Sequence, residues 1–176
     1  MRKIIISGGP CSGKTAVIEE LNNRGYHVLS ETALLLIYKS DKEKSKLYPW
    51  TNFEKFNKKM IQLQIQREKK LRGNMVFLDR SLIDALAYSK IKRKKLPKNF
   101  EDKILQSKYD KAFILEMLPK KHWNQTKNGL PRMQKYSSAV RIHKMIKKVY
   151  KDSEISAVKV PFMSIKKRVS FILRQI

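Results

Sequence analysis

Ile4-Ile5-Ile6-Ser7-Gly8-Gly9-Pro10-Cys11-Ser12-Gly13-Lys14-Thr15-Ala16-Val17-Ile18 decides how the rest of the chain is read. Three β-branched residues predict a short buried strand, which stops at two glycines. From Thr15 to Asn23 the apolar positions Val17, Ile18 and Leu21 predict a helix with one inner face, and Gly25 ends it. Between strand and helix, Gly8 to Thr15 matches G-x-x-x-x-G-K-[ST] in full. The glycines let the backbone wrap tightly, so that successive N–H groups point inward at phosphate oxygens. The first turn of the helix adds partial positive charge. Lys14 would then reach the β- and γ-phosphates of a nucleotide, and the Thr15 hydroxyl would ligate Mg²⁺. The expected nucleotide-binding set is Gly8, Gly9, Pro10, Cys11, Ser12, Gly13, Lys14, Thr15 and Ala16.

Outward from this loop, apolar runs alternate with helical patterns. Tyr26 to Leu29 predicts a second strand with Glu31 at its end, and Thr32 to Tyr38 a helix. Residues 39–49 are polar and lysine-rich and read as a surface connection. Phe53, Phe56, Met60 and Leu63 recur at helical steps, so an amphipathic helix is expected over about 52–71. Met75-Val76-Phe77-Leu78 reads as a strand covered on both faces, ending in Asp79-Arg80. Further expectations are a helix at 81–89, a basic loop at 90–99, a helix at 100–107 and a strand at 111–117. Ser137 or Ser138 would cap a helix to Tyr150, followed by a strand at 155–160 and a last helix carrying Ile165, Val169, Ile172 and Ile176. Strands alternating with helices predict a parallel sheet with helices on both faces. Residues 119–136, with Pro119, Asn128-Gly129 and Pro131 and little apolar content, are the candidate lid of one domain spanning 1–176.

Composition bounds the function. The chain has 176 residues, of which 41% are hydrophobic, which excludes intrinsic disorder. Forty Lys and Arg against fifteen Asp and Glu give a net charge of +25, a surface that attracts polyanions. A single cysteine, Cys11, rules out an intramolecular disulfide and a cysteine-built zinc site. The start of the chain is too short in apolar residues for a signal segment and no run is long enough for a membrane span, so a cytoplasmic location is expected.

Four further residues are candidates for chemistry. Asp79 ends an apolar strand, where a phosphate loop needs a carboxylate near magnesium. Arg80 beside it could clamp the acceptor or phosphate oxygens through its planar fork of donors, or pair with Asp84. Glu31 stands on the sheet edge where open α/β sheets bind ligands. It could take or orient the proton of an attacking hydroxyl, contact Mg²⁺ through water, or cap the helix at Thr32. Arg132 could close over ATP and stabilise charge on the transferred phosphoryl group, with Arg141 as second choice. His27, His122 and His143 show no metal-ligand spacing, and Trp50 and Trp123 pack at surfaces or line the acceptor cleft.

Taken together, five segments resemble the NadR-like AAA-domain P-loop NTPases. They are the Gly8–Thr15 loop, Ser30-Glu31-Thr32-Ala33, Asp79 to Tyr88, Asn128-Gly129-Leu130-Pro131-Arg132, and Val160-Pro161 with Lys167 to Leu173. That family includes the ribosylnicotinamide-kinase part of NadR proteins and many small stand-alone kinases. The resemblance implies a three-layer α/β fold of the nucleotide- and nucleoside-kinase type, with a parallel five-stranded sheet, a lid, and ATP with Mg²⁺. Adenine would rest against the turn holding Pro161 and Phe162. Asp79-Arg80-Ser81 is also similar to the acidic-Arg-Ser motif of deoxyribonucleoside kinases, which place a carboxylate where Glu31 sits. Family lids often show Asp-Gly where this chain has Asn128-Gly129 and then Pro131.

Two functions follow as expectations. The first is phosphoryl transfer from ATP to a hydroxyl of a small, nucleoside-like acceptor. The alternative is a nucleotide-dependent switch with weak ATPase activity that binds a polyanion, anionic lipid or RNA, through Lys90 to Lys95 and the lysine-rich 39–46 segment. The absence of an N-K-x-D string favours adenine over guanine.

Overall fold

The isoleucine run forms the middle strand of a parallel sheet. A computed structural model of the chain describes residues 1–122, 126–127, 130–131 and 135–176. In chain order the elements begin β1 (Arg2–Ser7), α1 (Lys14–Asn23), β2 (Val28–Leu29), α2 (Thr32–Lys42) and α3 (Phe53–Lys69). There follow β3 (Met75–Asp79), α4 (Leu82–Lys92), α5 (Lys98–Leu105) and β4 (Lys111–Leu115). A single 3₁₀ turn, Lys120–His122, precedes an antiparallel pair, β5 (Thr126–Lys127) and β6 (Leu130–Pro131). The chain closes with α6 (Tyr136–Lys151), β7 (Ala157–Val160) and α7 (Ile165–Leu173).

The five parallel strands lie in the order β2-β3-β1-β4-β7. The alternation of side chains splits each strand between two cores. Ile4 and Ile6 of β1 pack with Phe77, Phe113, Leu21 and Val169, under α1 and α7. Ile5 faces the other way, with Val76, Leu78, Ala112, Ile114 and the inner sides of α3 to α6. Both faces being covered explains why the strands read as unbroken apolar runs.

Register places the working ends together. Ile6 pairs with Asp79, Ser7 with Ile114, and Leu29 with Leu78. Gly8 therefore leaves β1 between the ends of β3 and β4, and Glu31 emerges beside Asp79 at the same edge. The chain passes from one side of β1 to the other here, the position at which open sheets bind ligands.

Several boundaries differ from the sequence reading. Helix α2 runs on to Lys42 and α4 to Lys92, into segments read as surface loops, because exposed lysines are good helix formers that the apolar pattern ignores. Helix α6 starts at Tyr136 after Lys135, so Ser137 and Ser138 lie inside its first turn rather than capping it. His27 precedes β2, and its carbonyl accepts the Phe77 N–H at 2.9 Å. In α3 the buried residues are Phe56, Asn57, Ile61, Gln64 and Glu68, so its innermost stripe is largely polar.

That polar stripe is fully engaged. The Thr32 hydroxyl donates to Gln64, Gln64 Nε2 donates to Glu68 Oε1 at 2.8 Å, and Tyr109 OH donates to the same oxygen at 2.9 Å. Lys3 Nζ reaches Glu68 Oε2 at 2.9 Å, and Arg67 Nη1 donates to the Ser30 carbonyl at 2.7 Å. The network thus grips the backbone on both sides of Glu31.

Candidate active site

The loop from Gly8 to Thr15 is a tight turn braced from outside. Gly13 has φ +83°, the left-handed region that favours glycine. Gly9 is packed so closely on α6 that a Cβ would lie 2.6 Å from the His143 Cβ. The buried Lys14 ammonium folds across its own loop, donating to the carbonyls of Gly8 at 3.0 Å and Gly9 at 2.9 Å. Cys11 sits at φ +58°, a conformation that costs a non-glycine residue about 1–2 kcal/mol. Its carbonyl accepts the Leu118 N–H at 3.1 Å, which holds it there. Thr15 is exposed at the start of α1.

Asp79 ends β3 beneath this loop. It is 6% exposed, and its Oδ1 has no hydrogen-bond partner among the described residues. Burial first, and the charge of Glu31 second, push its pKa up to about 6. Burial, and then Arg80, pull Lys14 down to about 8. Each feels the other's opposite charge, Lys14 and Arg80 acting to lower the Asp79 pKa and Asp79 and Glu31 to raise that of Lys14, but burial outweighs these attractions. A carboxylate oxygen without a partner among the described residues at the strand end, and an exposed threonine hydroxyl at the start of α1, are the donor types that suit Mg²⁺, which takes one or two protein oxygens and fills its shell with phosphates and water.

Arg80 connects the carboxylates. Its φ is +70°, a strained conformation for arginine. Nε donates to Glu31 Oε1 at 2.9 Å, and Nη1 donates to Asp84 Oδ1 at 3.1 Å. Asp84 is itself locked: it accepts from Ser7 Oγ at 2.6 Å, Tyr150 OH at 2.7 Å and the Ser81 N–H at 3.0 Å. Arg80 is therefore no surface cation but a partly buried strut between α4 and Glu31. Glu31 occupies the N-cap position of α2 without a side-chain cap bond, so helix capping is not what its carboxylate does. The carboxylate turns to Arg80, in the field of Lys14 and Asp79.

Three residues to which the sequence reading gives no role at the loop support it from behind. His143 Nδ1 accepts the Gly9 N–H at 3.1 Å, which leaves Nε2 to donate to Glu116 Oε2 at 3.3 Å. Glu116 also takes Lys147 at 2.8 Å. Burial works to raise its pKa, but Lys147 and then His143 hold it below the usual carboxylate range. The third is Arg168 on α7, 2% exposed, which donates to the Ser12 carbonyl.

His143 supplies a pH test. Burial holds its pKa below the ordinary 6.5, against the pull of Glu116 and with the help of Lys147 and Lys14. The fold thus favours the neutral ring, and its contribution is whole above pH 6.5 and lost as pH falls through the lower folded value. His143→Leu leaves the buried Gly9 N–H unpaired and is expected to cost about 1–3 kcal/mol at pH 8. Urea denaturation should show that difference narrowing at pH 5; a constant difference would refute the assignment.

The other expected residues fall apart from this cluster or outside it. Arg132, with Asn128, Gly129 and Trp123, lies outside the described residues. Arg141 is exposed and lines a shallow groove with Ser137, Val140 and Lys144, away from the loop. Trp50 is 54% exposed and stacks on Tyr48 at 4.9 Å. Pro161 and Phe162 follow β7, and the half-exposed Phe162 ring lies 5.5 Å from the Arg168 guanidinium, which links their turn to Gly13.

A family model described as an AAA domain matches residues 3–168. The chain belongs to the AAA-domain family. The resemblance to NadR-like P-loop proteins holds in solved structures too. A NadR protein in complex with NR superposes with a TM-score of 0.67 at 17% identity, covering 98% of this chain and 50% of that one. This AAA-domain chain thus spans about half the length of that NadR protein. Deoxyadenosine kinase from M. mycoides gives 0.69 at 16% identity, covering 98% and 97% of the two chains. Thymidylate kinase from Ehrlichia chaffeensis gives 0.69 at 12%, covering 99% and 97%. At these identities the likeness establishes the fold: an α/β P-loop kinase fold with a five-stranded parallel sheet. No curated protein matches the chain. No described helix is long and apolar enough to cross a membrane. The similar structures lend the polyanion reading no support.

Proposed function

We propose that this AAA-domain chain is a kinase that moves the γ-phosphoryl group of ATP to a hydroxyl of a small, nucleoside-like acceptor. One observation carries the reading. The Glu31 carboxylate leaves its helix uncapped and is held by Arg80, 2.9 Å away, in the field of the loop lysine. An acid so placed meets a hydroxyl arriving at the sheet edge just where the loop would present a phosphate.

The triphosphate lies along the backbone of the loop from Gly8 to Ala16, with adenine against Pro161 and Phe162. Lys14 leaves its own loop carbonyls for the β- and γ-phosphate oxygens, whose charge restores the ammonium that burial weakens. Thr15 and Asp79 would hold Mg²⁺, which would neutralise charge on those oxygens when bound. Glu31 accepts the proton from the attacking hydroxyl as the new O–P bond forms and the bond from the γ-phosphorus to the bridging oxygen breaks, releasing ADP. Arg80 keeps that carboxylate aimed, and Asp84 keeps Arg80 aimed.

Mixing the protein with ATP and Mg²⁺ and a panel of nucleosides, nicotinamide riboside and nucleoside monophosphates tests the proposal. At least one acceptor should speed ADP release. Glu31→Gln should cut the acceptor-dependent rate about a hundredfold or more, the scale of a positioned general base. If no acceptor raises ADP release above the rate with ATP alone, small-molecule transfer is wrong.

A further inference from the structure

Arg168 is a large, fully buried cation whose hydrogen-bond partners are neutral. Nη1 donates to the Ser12 carbonyl at 2.5 Å and Nη2 to the Glu116 carbonyl at 3.3 Å. Nε has no hydrogen-bond partner among the described residues, and the face of the guanidinium lies 5.5 Å from the Phe162 ring. The Glu116 carboxylate is committed to His143 and Lys147. Burying a guanidinium without a paired carboxylate is unfavourable, and an apolar residue of the same volume would serve the fold better. The position therefore asks for an explanation outside packing.

Peptide geometry provides one. A trans peptide unit is planar, with its C=O and the following N–H pointing in opposite directions. Fixing the Ser12 carbonyl on Arg168 fixes the Gly13 N–H on the far side of the same unit. A carbonyl bonded to a cation is also polarised, which makes the N–H of its own unit a stronger donor. The preceding unit is treated alike, since Leu118 N–H holds the Cys11 carbonyl and so directs the Ser12 N–H. The guanidinium lies close against this unit: a Cβ on Gly13 would stand 3.1 Å from Arg168 Nη1.

We propose that Arg168 is the positioning residue of the phosphate loop, holding the Ser12–Gly13 peptide so that the Gly13 N–H faces the bound phosphates. A guanidinium fits because its fork reaches two carbonyls at once, Ser12 on the loop and Glu116 beyond β4. The loop is thereby tied to the sheet from α7, an element remote in sequence. This inference rests on the proposed nucleotide binding by the loop.

Calorimetric titration of the full chain with ATP and Mg²⁺, and separately with ADP, tests it, beside thermal denaturation of each protein. Arg168→Met keeps the bulk and removes the fork. It should weaken both nucleotides about tenfold or more while leaving melting unchanged or raised. Arg168→Lys keeps the cation and one carbonyl bond, and should regain affinity to within about threefold of the native chain. Native-like affinity in Arg168→Met overturns the role of Arg168 and leaves nucleotide binding standing. Equal losses in both variants reduce Arg168 to a structural residue and overturn it too. If the native chain binds neither nucleotide, the reading beneath the inference fails with it.

Discussion

A Lys14→Met protein is expected to turn over ATP about a thousandfold more slowly than the native chain, the scale of losing a charge-stabilising donor in an enclosed site. The side chain fits this expectation in a specific way. It is buried, and its ammonium now rests on the carbonyls of Gly8 and Gly9. Those bonds are exchanged for phosphate oxygens when nucleotide enters, so the lysine contributes more to the charged, bound state than to the empty one. Burial pulls its pKa down to about 8, so below that pH the empty fold carries an ammonium that is costly to keep charged. A bound triphosphate raises the pKa again. Nucleotide affinity in the native chain should therefore be strongest below pH 8 and weaken as pH rises, while Lys14→Met should show no such dependence. Rates and affinities measured from pH 6.5 to 9 decide this. Equal turnover in the two proteins would remove the phosphate-cradle reading.

The parts of this site that are legible in the sequence are those whose residues are neighbours in the chain. The loop, with its strand before and helix after, is a local object, and Asp79 is marked by the apolar run that it ends. Glu31 can be placed at a strand end, but not distinguished from a helix cap, because that choice depends on Arg80 reaching across 49 residues. Arg168 meets Ser12 across 156 residues, in a chain with 40 Lys and Arg, and nothing in its type sets it apart. Its position does. Arg168 takes an inward place beside Val169 and Ile172 on α7, where Ile165, expected on that stripe, is exposed, as His143 does between Ile142 and Ile146 on α6. Asn57, Gln64 and Glu68 do the same on α3. A polar residue on the apolar stripe of a helix is the shared signal, because it must find a buried partner. Reading the stripes only for their apolar members hides it. It also explains why the apolar pattern of α3 points to Phe53, Met60 and Leu63, which the fold does not fully bury.

Asp79 allows a sharper test, since function and stability pull it in opposite directions. Its folded pKa is raised to about 6, from an ordinary value of 3.8, by burial and then by Glu31. Between those values the native state binds more protons than the unfolded chain, so stability falls as pH rises through that window. Above pH 6 the fold carries a buried carboxylate whose Oδ1 no described group satisfies. Asp79→Asn removes that charge at nearly constant volume. At pH 7.5 the variant is expected to be more stable by about 1–3 kcal/mol, given that a tenfold change in proton affinity corresponds to about 1.4 kcal/mol. For a chain of this length that raises Tm by roughly 3–10 °C. The gain should shrink toward zero at pH 4, where the native carboxyl is already protonated. Activity should move the other way, falling about a thousandfold if Asp79 is the cation ligand proposed above. Mg²⁺ with ATP should then raise the Tm of the native chain far more than that of Asp79→Asn, closing the gap between them, because ligand binding stabilises only the state that binds. Melting curves at the two pH values, with and without Mg²⁺ and ATP, separate the outcomes. A variant that melts lower at pH 7.5 would mean that Asp79 is a structural partner in β3. A variant that melts higher and keeps its activity would mean that the cation is held elsewhere.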